Sequence, residues 1–260
     1  MKNMKSDWNY GQQAKYYQFR PNYDDSAIDK LCQYVNPKKN NNDYLVADVG
    51  AGTGNLTIML LKRNFQCLAI EPTKEMMEIG KKNTQGMNVE WRKGTGENTS
   101  LKDNSIDWFT MGSSFNTTNR ILTLKEAHRV LKPGGYFSCM WNHRDIENDP
   151  IQKRMEEIIE TVIPHYERGV RREGQADTIL DSKLFNDVHY IEKTQKIEKT
   201  VEEYINAWKS VKNKYWNIET KEGRDTFDKI IIRLREELSH LKKMGLLYTT
   251  RIWTAQVIKK

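Results

Sequence analysis

The chain has 260 residues, 30% of them charged and 37% hydrophobic, enough for one large domain with a buried core. No run approaches the roughly 18 consecutive apolar residues of a membrane helix, and the opening MKNMKSDWNYGQQ has neither the apolar stretch nor the cleavage site of a secretory leader. The net charge of +7, from 42 basic and 35 acidic residues, would suit nucleic acid, but both signs are interspersed, as in IIRLREELSHLKK, the pattern of solvated helix faces.

The predicted elements begin with an amphipathic helix over SAIDKLCQYV, opened by Ser26 as its cap. After the polar loop 36–43 an alternation sets in. YLVADV, QCLAIEP, MNVEWRKG, part of SIDWFTMGSSF, and YFSCMWNH read as five strands. NLTIMLLKR, KEMMEIGKKN and LTLKEAHRVLKPGG read as helices among them, the last with a glycine stop. Continuous apolar strands alternating with helices indicate a parallel sheet covered on both faces. Beyond it, DPIQKRMEEIIETVI is a predicted helix, HYERGVRREGQADT a polar connection and VHYIEKTQKI a strand. Two more helices, VEEYINAWKSV and GRDTFDKIIIRLREELSHLKKM, precede a last strand, LLYTTRIWTAQVIKK.

No Pro/Gly/Ser-rich linker divides the chain, so a single domain over 1–260 is expected, with 1–42 and 146–182 as cover over the open edge of the sheet. The three cysteines, Cys32, Cys67 and Cys139, lie far apart. They suggest neither a disulfide framework nor a metal pair, so the expectation is a reducing cytoplasm and no metal. The sequence sets no oligomeric state.

DVGAGTGN, residues 48–55, places a glycine turn between the first strand and its helix, where folds of this kind hold a nucleotide. The dinucleotide fingerprint is G-x-G-x-x-G, its third glycine letting helix and strand pack behind the pyrophosphate. Here Gly50, Gly52 and Gly54 give G-x-G-x-G, and Asn55 stands where that third glycine belongs. S-adenosylmethionine (SAM) has no phosphate and needs backbone passing close to its methionine and ribose. Asp48 ahead of the glycines suits organisation of the loop or of an ammonium group. Glu71, closing the second strand, suits a pair of ribose hydroxyls in either fold.

DVGAGTGN, AIEPTKEMM, GTGENTSLKDNSID and EAHRVLKPGGYFSCMWNHRD resemble, in order and spacing, the motifs of class I SAM-dependent methyltransferases. YYQFRPNY is similar to the opening of the small-molecule branch that includes trans-aconitate methyltransferase-like enzymes. The resemblance covers roughly 10–145. It implies an α/β fold with a doubly wound, mostly parallel seven-stranded sheet, an antiparallel last strand, and cap elements at the N-terminus and after strand five. It implies SAM as methyl donor, S-adenosylhomocysteine as product, and a small-molecule acceptor.

By the resemblance, Gly50, Gly52 and Gly54 line the methionine and ribose, Glu71 holds the ribose, and Pro72 and Met76 flank the adenine. Thr95, Gly96 and Glu97 touch the adenine edge, where the family often has alanine at Gly96, and Gly112 and Ser113 approach the sulfonium. The His-Trp pair frequent after strand four is replaced by Asn116 and Thr117.

The acceptor belongs outside the carboxyl ends of the strands, which points to Asn116 after strand four and to Trp141, Asn142 and Arg144 after strand five, with Tyr16 and Tyr17 from the N-terminal cover. His143 is the candidate general base, with a loop histidine that only hydrogen-bonds as the alternative. Arg20, assigned to the cofactor, and Arg144, Arg171 and Arg172 are candidate carboxylate clamps. Two rival enzyme readings have counter-evidence. A base-methylating enzyme would carry Asn/Asp-Pro-Pro-aromatic after strand four, where this chain has GSSF, and a nicotinamide oxidoreductase is opposed by the glycine spacing. A non-catalytic SAM-binding protein stays open.

Overall fold

The computed structural model describes residues 13–37, 43–167, 173–211 and 215–259. A short 3-10 helix, Ala14–Phe19, leads into α1 (Asp25–Val35). The chain then alternates β1 (Leu45–Val49), α2 (Asn55–Leu61), β2 (Gln66–Ile70), α3 (Lys74–Asn83), β3 (Val89–Arg92), β4 (Ile106–Gly112), α4 (Arg120–Val130) and β5 (Leu131–Arg144). It continues through α5 (Pro150–Val162), α6 (Ala176–Asp181), β6 (Phe185–Lys199), α7 (Val201–Lys209), α8 (Lys221–Leu238) and β7 (Met244–Val257).

The strands form one seven-stranded sheet in the order β3-β2-β1-β4-β5-β7-β6. β1 through β5 pair in parallel, and β7 runs antiparallel between β5 and β6. This is the expected doubly wound sheet with an antiparallel last strand. Winding outward from β1 in both directions leaves a crevice at the carboxyl ends of β1 and β4, the place where such sheets take their ligands.

The central strands are apolar throughout because helices cover both faces. On one face Ile28 and Leu31 of α1 and Leu56 and Leu60 of α2 pack on Val46, Trp108 and Met140. On the other, Leu124 and Ala127 of α4 and Ile179 of α6 pack on Ala47, Phe109 and Phe137. A third cluster joins Ile159 of α5, Tyr204 and Trp208 of α7, and Phe227 and Ile231 of α8 to Leu246 and Tyr248. Met244–Leu247 pair with Lys196–Lys199 beyond the last paired residue of β5, Arg144, so this cluster overhangs the carboxyl end of the sheet.

The structure revises three local expectations. Asp24, not Ser26, caps α1: its Oδ1 accepts from Ala27 N at 2.9 Å, and Ser26 lies inside the helix and donates to the same oxygen. An N-cap oxygen has to reach an amide two or three residues ahead, which Asp24 does from extended backbone. The fourth helix ends at Val130, ahead of its glycines, because Lys132 precedes Pro133 and that position disfavours helix. Gly134, at φ +78°, sits in β5, where the register against β4 shifts between Ile106↔Leu131 and Trp108↔Tyr136. Finally, α6, within the segment 146–182, packs against the sheet beside α4, while α7 and α8, outside that segment, join α5 in the overhanging cluster. Helical periodicity reports an apolar stripe and not the surface it meets.

Among the described residues no helix is long and apolar enough to cross a membrane.

Candidate functional site

A cavity of about 550 Å³ opens at the carboxyl ends of β1, β2 and β4, within the roughly 300–1,000 Å³ typical of small-molecule sites. Its lining brings together Tyr17, Arg20, Gly50, Gly52, Glu71, Pro72, Met76, Thr95, Gly96, Glu97, Gly112 and Ser113, twelve residues singled out in the sequence.

The glycine loop is built by backbone demands. Gly50, Gly52 and Gly54 all have positive φ, +71°, +58° and +87°, a region that L side chains avoid. At Gly50 a Cβ would also stand 2.5 Å from the Cβ of Ser114. The amides of Gly50 and Ala51 both donate to Ile70 O, at 2.8 and 3.1 Å, folding the loop over the end of β2. Gly54 lies outside the lining; it is the N-cap of α2 in a left-handed backbone, φ +87°, and it is this conformation that calls for glycine.

Glu71 is only 5% exposed, and each carboxylate oxygen is engaged by a backbone amide. Oε2 accepts from Gly52 N at 2.8 Å and Oε1 from Thr73 N at 2.9 Å. The residue thereby ties the glycine loop to the start of α3. Burial pushes its carboxyl above the ordinary range, against the opposing pull of those two amides. Asp48 is fully buried, with Oδ2 accepting from Thr57 Oγ1 at 2.5 Å and Oδ1 without a hydrogen-bond partner among the described residues. Burial, reinforced by Glu71, raises its carboxyl to about 7. Asp48 binds Thr57 of α2 and does not line the cavity.

At the end of β4, Ser113 takes a left-handed backbone, φ +58°, and its Oγ lies 3.0 Å from the hydroxyl of Tyr23. Burial holds the Tyr23 phenol far above its usual range, so it stays protonated. On the opposite wall, a Cβ on Gly96 would come within 2.9 Å of both Thr118 and Thr123, a reason for glycine where the resemblance suggests alanine. Glu97 accepts from the Asn119 amide at 2.7 Å and so fixes this wall to the start of α4.

Arg20 reaches the cavity from the segment after the 3-10 helix. Its Nε donates to Ser210 Oγ at 2.8 Å, its Nη2 to Ser210 O at 2.9 Å, and its guanidinium lies over the Tyr17 ring at 4.1 Å. Tyr16 is off the lining, between the ammonium groups of Lys15 and Lys209 at 5.1 and 5.3 Å.

The residues expected to meet the acceptor from strand five lie elsewhere. Trp141 is buried against Trp253 and donates to Asn116 Oδ1 at 2.9 Å, which occupies both expected contacts with each other. Asn142 donates to Asn22 O at 2.8 Å and accepts from Thr250 Oγ1. Arg144 forms an ion pair with Glu156 and lies 4.3 Å from the Trp208 ring, within the overhanging cluster. His143, half-buried in β5 opposite Thr249, is also outside the lining. The overhang of β7 with α5, α7 and α8 covers these residues, which chain order alone would leave at the mouth. Arg171 and Arg172 fall outside the described residues.

Sequence reasoning missed Thr73, Lys74, Glu75, Met111, Ser114 and Thr118, which also line the cavity, and Tyr23 beneath it. Tyr23 ends the YYQFRPNY phrase and Thr73 follows Glu71 directly, so position offered a signal for both. Among the described residues no group of His, Cys, Asp or Glu is arranged to hold a metal ion.

Residues 47–139 match the family model described as a methyltransferase domain. An uncharacterized methyltransferase of Mycobacterium tuberculosis is 32% identical over 133 residues, 50% of each chain. A ubiquinone/menaquinone biosynthesis C-methyltransferase of Rubrivivax gelatinosus is 33% identical over 96 residues, 36% of this chain and 38% of that one. The matched regions thus span about half, or less, of these relatives. The YcgJ protein of Bacillus subtilis shares the fold with a TM-score of 0.53 at 14% identity, over 90% of this chain and all of the other. So does a Haemonchus contortus phosphoethanolamine N-methyltransferase solved with phosphomonomethylethanolamine and S-adenosylhomocysteine, with a TM-score of 0.53 at 13% identity, over 95% of this chain and 57% of the other. The matched segment runs from β1 into β5 and contains the glycine loop, Glu71 and Gly112, so the part of the chain that builds most of the cavity is similar to a methyltransferase domain.

Proposed function

We propose that the cavity binds SAM and that the protein transfers its methyl group to an oxygen, nitrogen or carbon nucleophile of a small molecule. The observation that carries this reading is the pairing of two oppositely charged groups across the glycine loop. Glu71, pinned by the Gly52 and Thr73 amides, offers acceptor lone pairs for a ribose diol. Arg20 offers a cation for an amino-acid carboxylate. Between them the loop carries no side chain at Gly50 or Gly52, so backbone can approach the ligand. Pro72 and Met76 on one side and Thr95, Gly96 and Glu97 on the other suit a flat adenine.

SAM supplies an activated methyl on a sulfonium, whose positive charge disperses as the methyl departs in line. The chain's own residues then have to align, desolvate and exclude water. Gly112 and Ser113 bound the transfer end, with Ser114 and Thr117 beside them. Ser113, Ser114 and Thr117 bring hydroxyls, none of the four residues brings a carboxylate or imidazole, and buried Tyr23 keeps its proton. The reading therefore favours acceptors whose nucleophile needs no strong protein base, and His143 has no part in it. The acceptor enters beside Tyr17 and Arg20, under a cover formed by the N-terminal segment with α5, α7 and α8 in a single domain. A small molecule fits this enclosure better than a polynucleotide, and a cytoplasmic setting accords with the free thiols.

Isothermal titration calorimetry tests the reading: SAM and S-adenosylhomocysteine should each bind one-to-one and NAD should give no heat. Saturable NAD binding without SAM binding would overturn it.

A further inference from the structure

Arg20 is held in an unusual way for a cation lining a cavity. Among the described residues both of its hydrogen bonds go to Ser210, one to the hydroxyl and one to the carbonyl, and neither goes to a carboxylate. Tyr17 supports the face of the guanidinium. Ser210 is fully buried, caps the carboxyl end of α7, and turns its own hydroxyl proton to Ala207 O at 2.5 Å. That donation leaves its oxygen lone pairs to face Arg Nε. Of the five N–H groups a guanidinium carries, two are engaged by Ser210, and three remain for an anion in the cavity. Arg20 also acts electrostatically on the buried Tyr23 phenol, whose hydroxyl touches Ser113, so the cation lies within reach of the Ser113 end of the cavity.

We propose that Ser210 is a positioning residue for the donor site: it holds the Arg20 guanidinium so that its remaining N–H groups meet the carboxylate of the donor's methionine half. This inference rests on the reading of the cavity as a SAM site and adds that the site is completed from α7, outside the segment 47–139 that matches the methyltransferase model. The physical logic is preorganisation. A free arginine loses rotamer entropy when it binds an anion, whereas here the fork on Ser210 and the stack on Tyr17 have already fixed the side chain. It also couples the two parts of the molecule, since displacement of α7 removes both acceptors from Arg20 at once.

The test compares S-adenosylhomocysteine with 5′-methylthioadenosine, which keeps the adenosine and lacks the amino-acid end, by calorimetry on the full chain. Ser210→Ala should weaken S-adenosylhomocysteine binding roughly tenfold, equivalent to about 1.4 kcal/mol, and leave 5′-methylthioadenosine binding unchanged. In an Arg20→Ala background the Ser210→Ala effect on S-adenosylhomocysteine should vanish, the non-additivity of two residues acting through one contact. Equal weakening of both nucleosides by Ser210→Ala would show a structural role alone and overturn the proposal. So would additive losses in the double variant. Failure of the unaltered protein to bind either nucleoside would instead overturn the reading of the cavity itself, which separates the two failures.

Discussion

Replacing Glu71 by alanine should damage the fold and the site by separable amounts. Its carboxylate accepts from Gly52 N and Thr73 N, and alanine leaves both amides without that partner. A stranded buried donor costs about 1–3 kcal/mol, but Gly52 and Thr73 are half-buried at the cavity rim, where water can replace much of what is lost. The lower figure therefore applies to each, about 2 kcal/mol in all, which for a chain of this size lowers the melting temperature by about 4–8 °C. Binding should suffer again, because the ribose diol loses its acceptor and the loop its anchor, by a further 1–3 kcal/mol or so. Thermal unfolding with and without S-adenosylhomocysteine separates the two: the variant should melt lower alone and gain less from the ligand than the native chain gains. An unchanged melting temperature together with an unchanged ligand-induced shift would refute the role given to Glu71.

Asp48 provides a pH signature. Its carboxyl is raised from 3.8 to about 7 in the folded state, so the stability associated with the neutral form is complete below about pH 4 and is lost as pH climbs through 7, by roughly 4 kcal/mol at most. Urea unfolding of Asp48→Asn across that window should lack this decline; parallel curves for the two proteins would count against it. Gly50→Ala forces a side chain into φ +71° and against Ser114, and should cost about 1–3 kcal/mol from backbone strain alone, with lost S-adenosylhomocysteine binding. A native melting temperature and affinity would show that the loop tolerates a Cβ. Deleting residues 1–20 removes Tyr17 and Arg20 but none of the sheet, so circular dichroism should remain native-like while methyl transfer disappears. Full turnover by the truncated chain would reduce the N-terminal segment to ornament.

What was legible in the sequence was whatever depends on short-range pattern. Runs such as LVADV and QCLAI are largely apolar on both faces, and only a doubly covered strand needs that; the glycine spacing follows from positive φ angles at three alternate positions, 50, 52 and 54. The place of Glu71 on the cavity wall could be read because it stands at the end of β2. The acceptor side was not legible in this way. Asn142, His143 and Arg144 close strand five, yet β7 extends past that strand's end and carries α5, α7 and α8 over it. Arg144 consequently meets Glu156 and Trp208 in place of a ligand. Ser210 was invisible for the same reason: it meets Arg20 across 190 positions, and nothing near it in sequence marks a ligand site.

The central claim, that the crevice between β1 and β4 is a SAM site anchored by Glu71 and Arg20, is tested most directly by a crystal structure with S-adenosylhomocysteine. The account predicts the ribose hydroxyls on Glu71, adenine between Met76 and the Thr95–Glu97 wall, and the carboxylate on Arg20, with Ser210 still holding that guanidinium. The nucleoside bound outside this cavity, or bound within it with Glu71 and Arg20 both beyond hydrogen-bonding distance, would contradict the account.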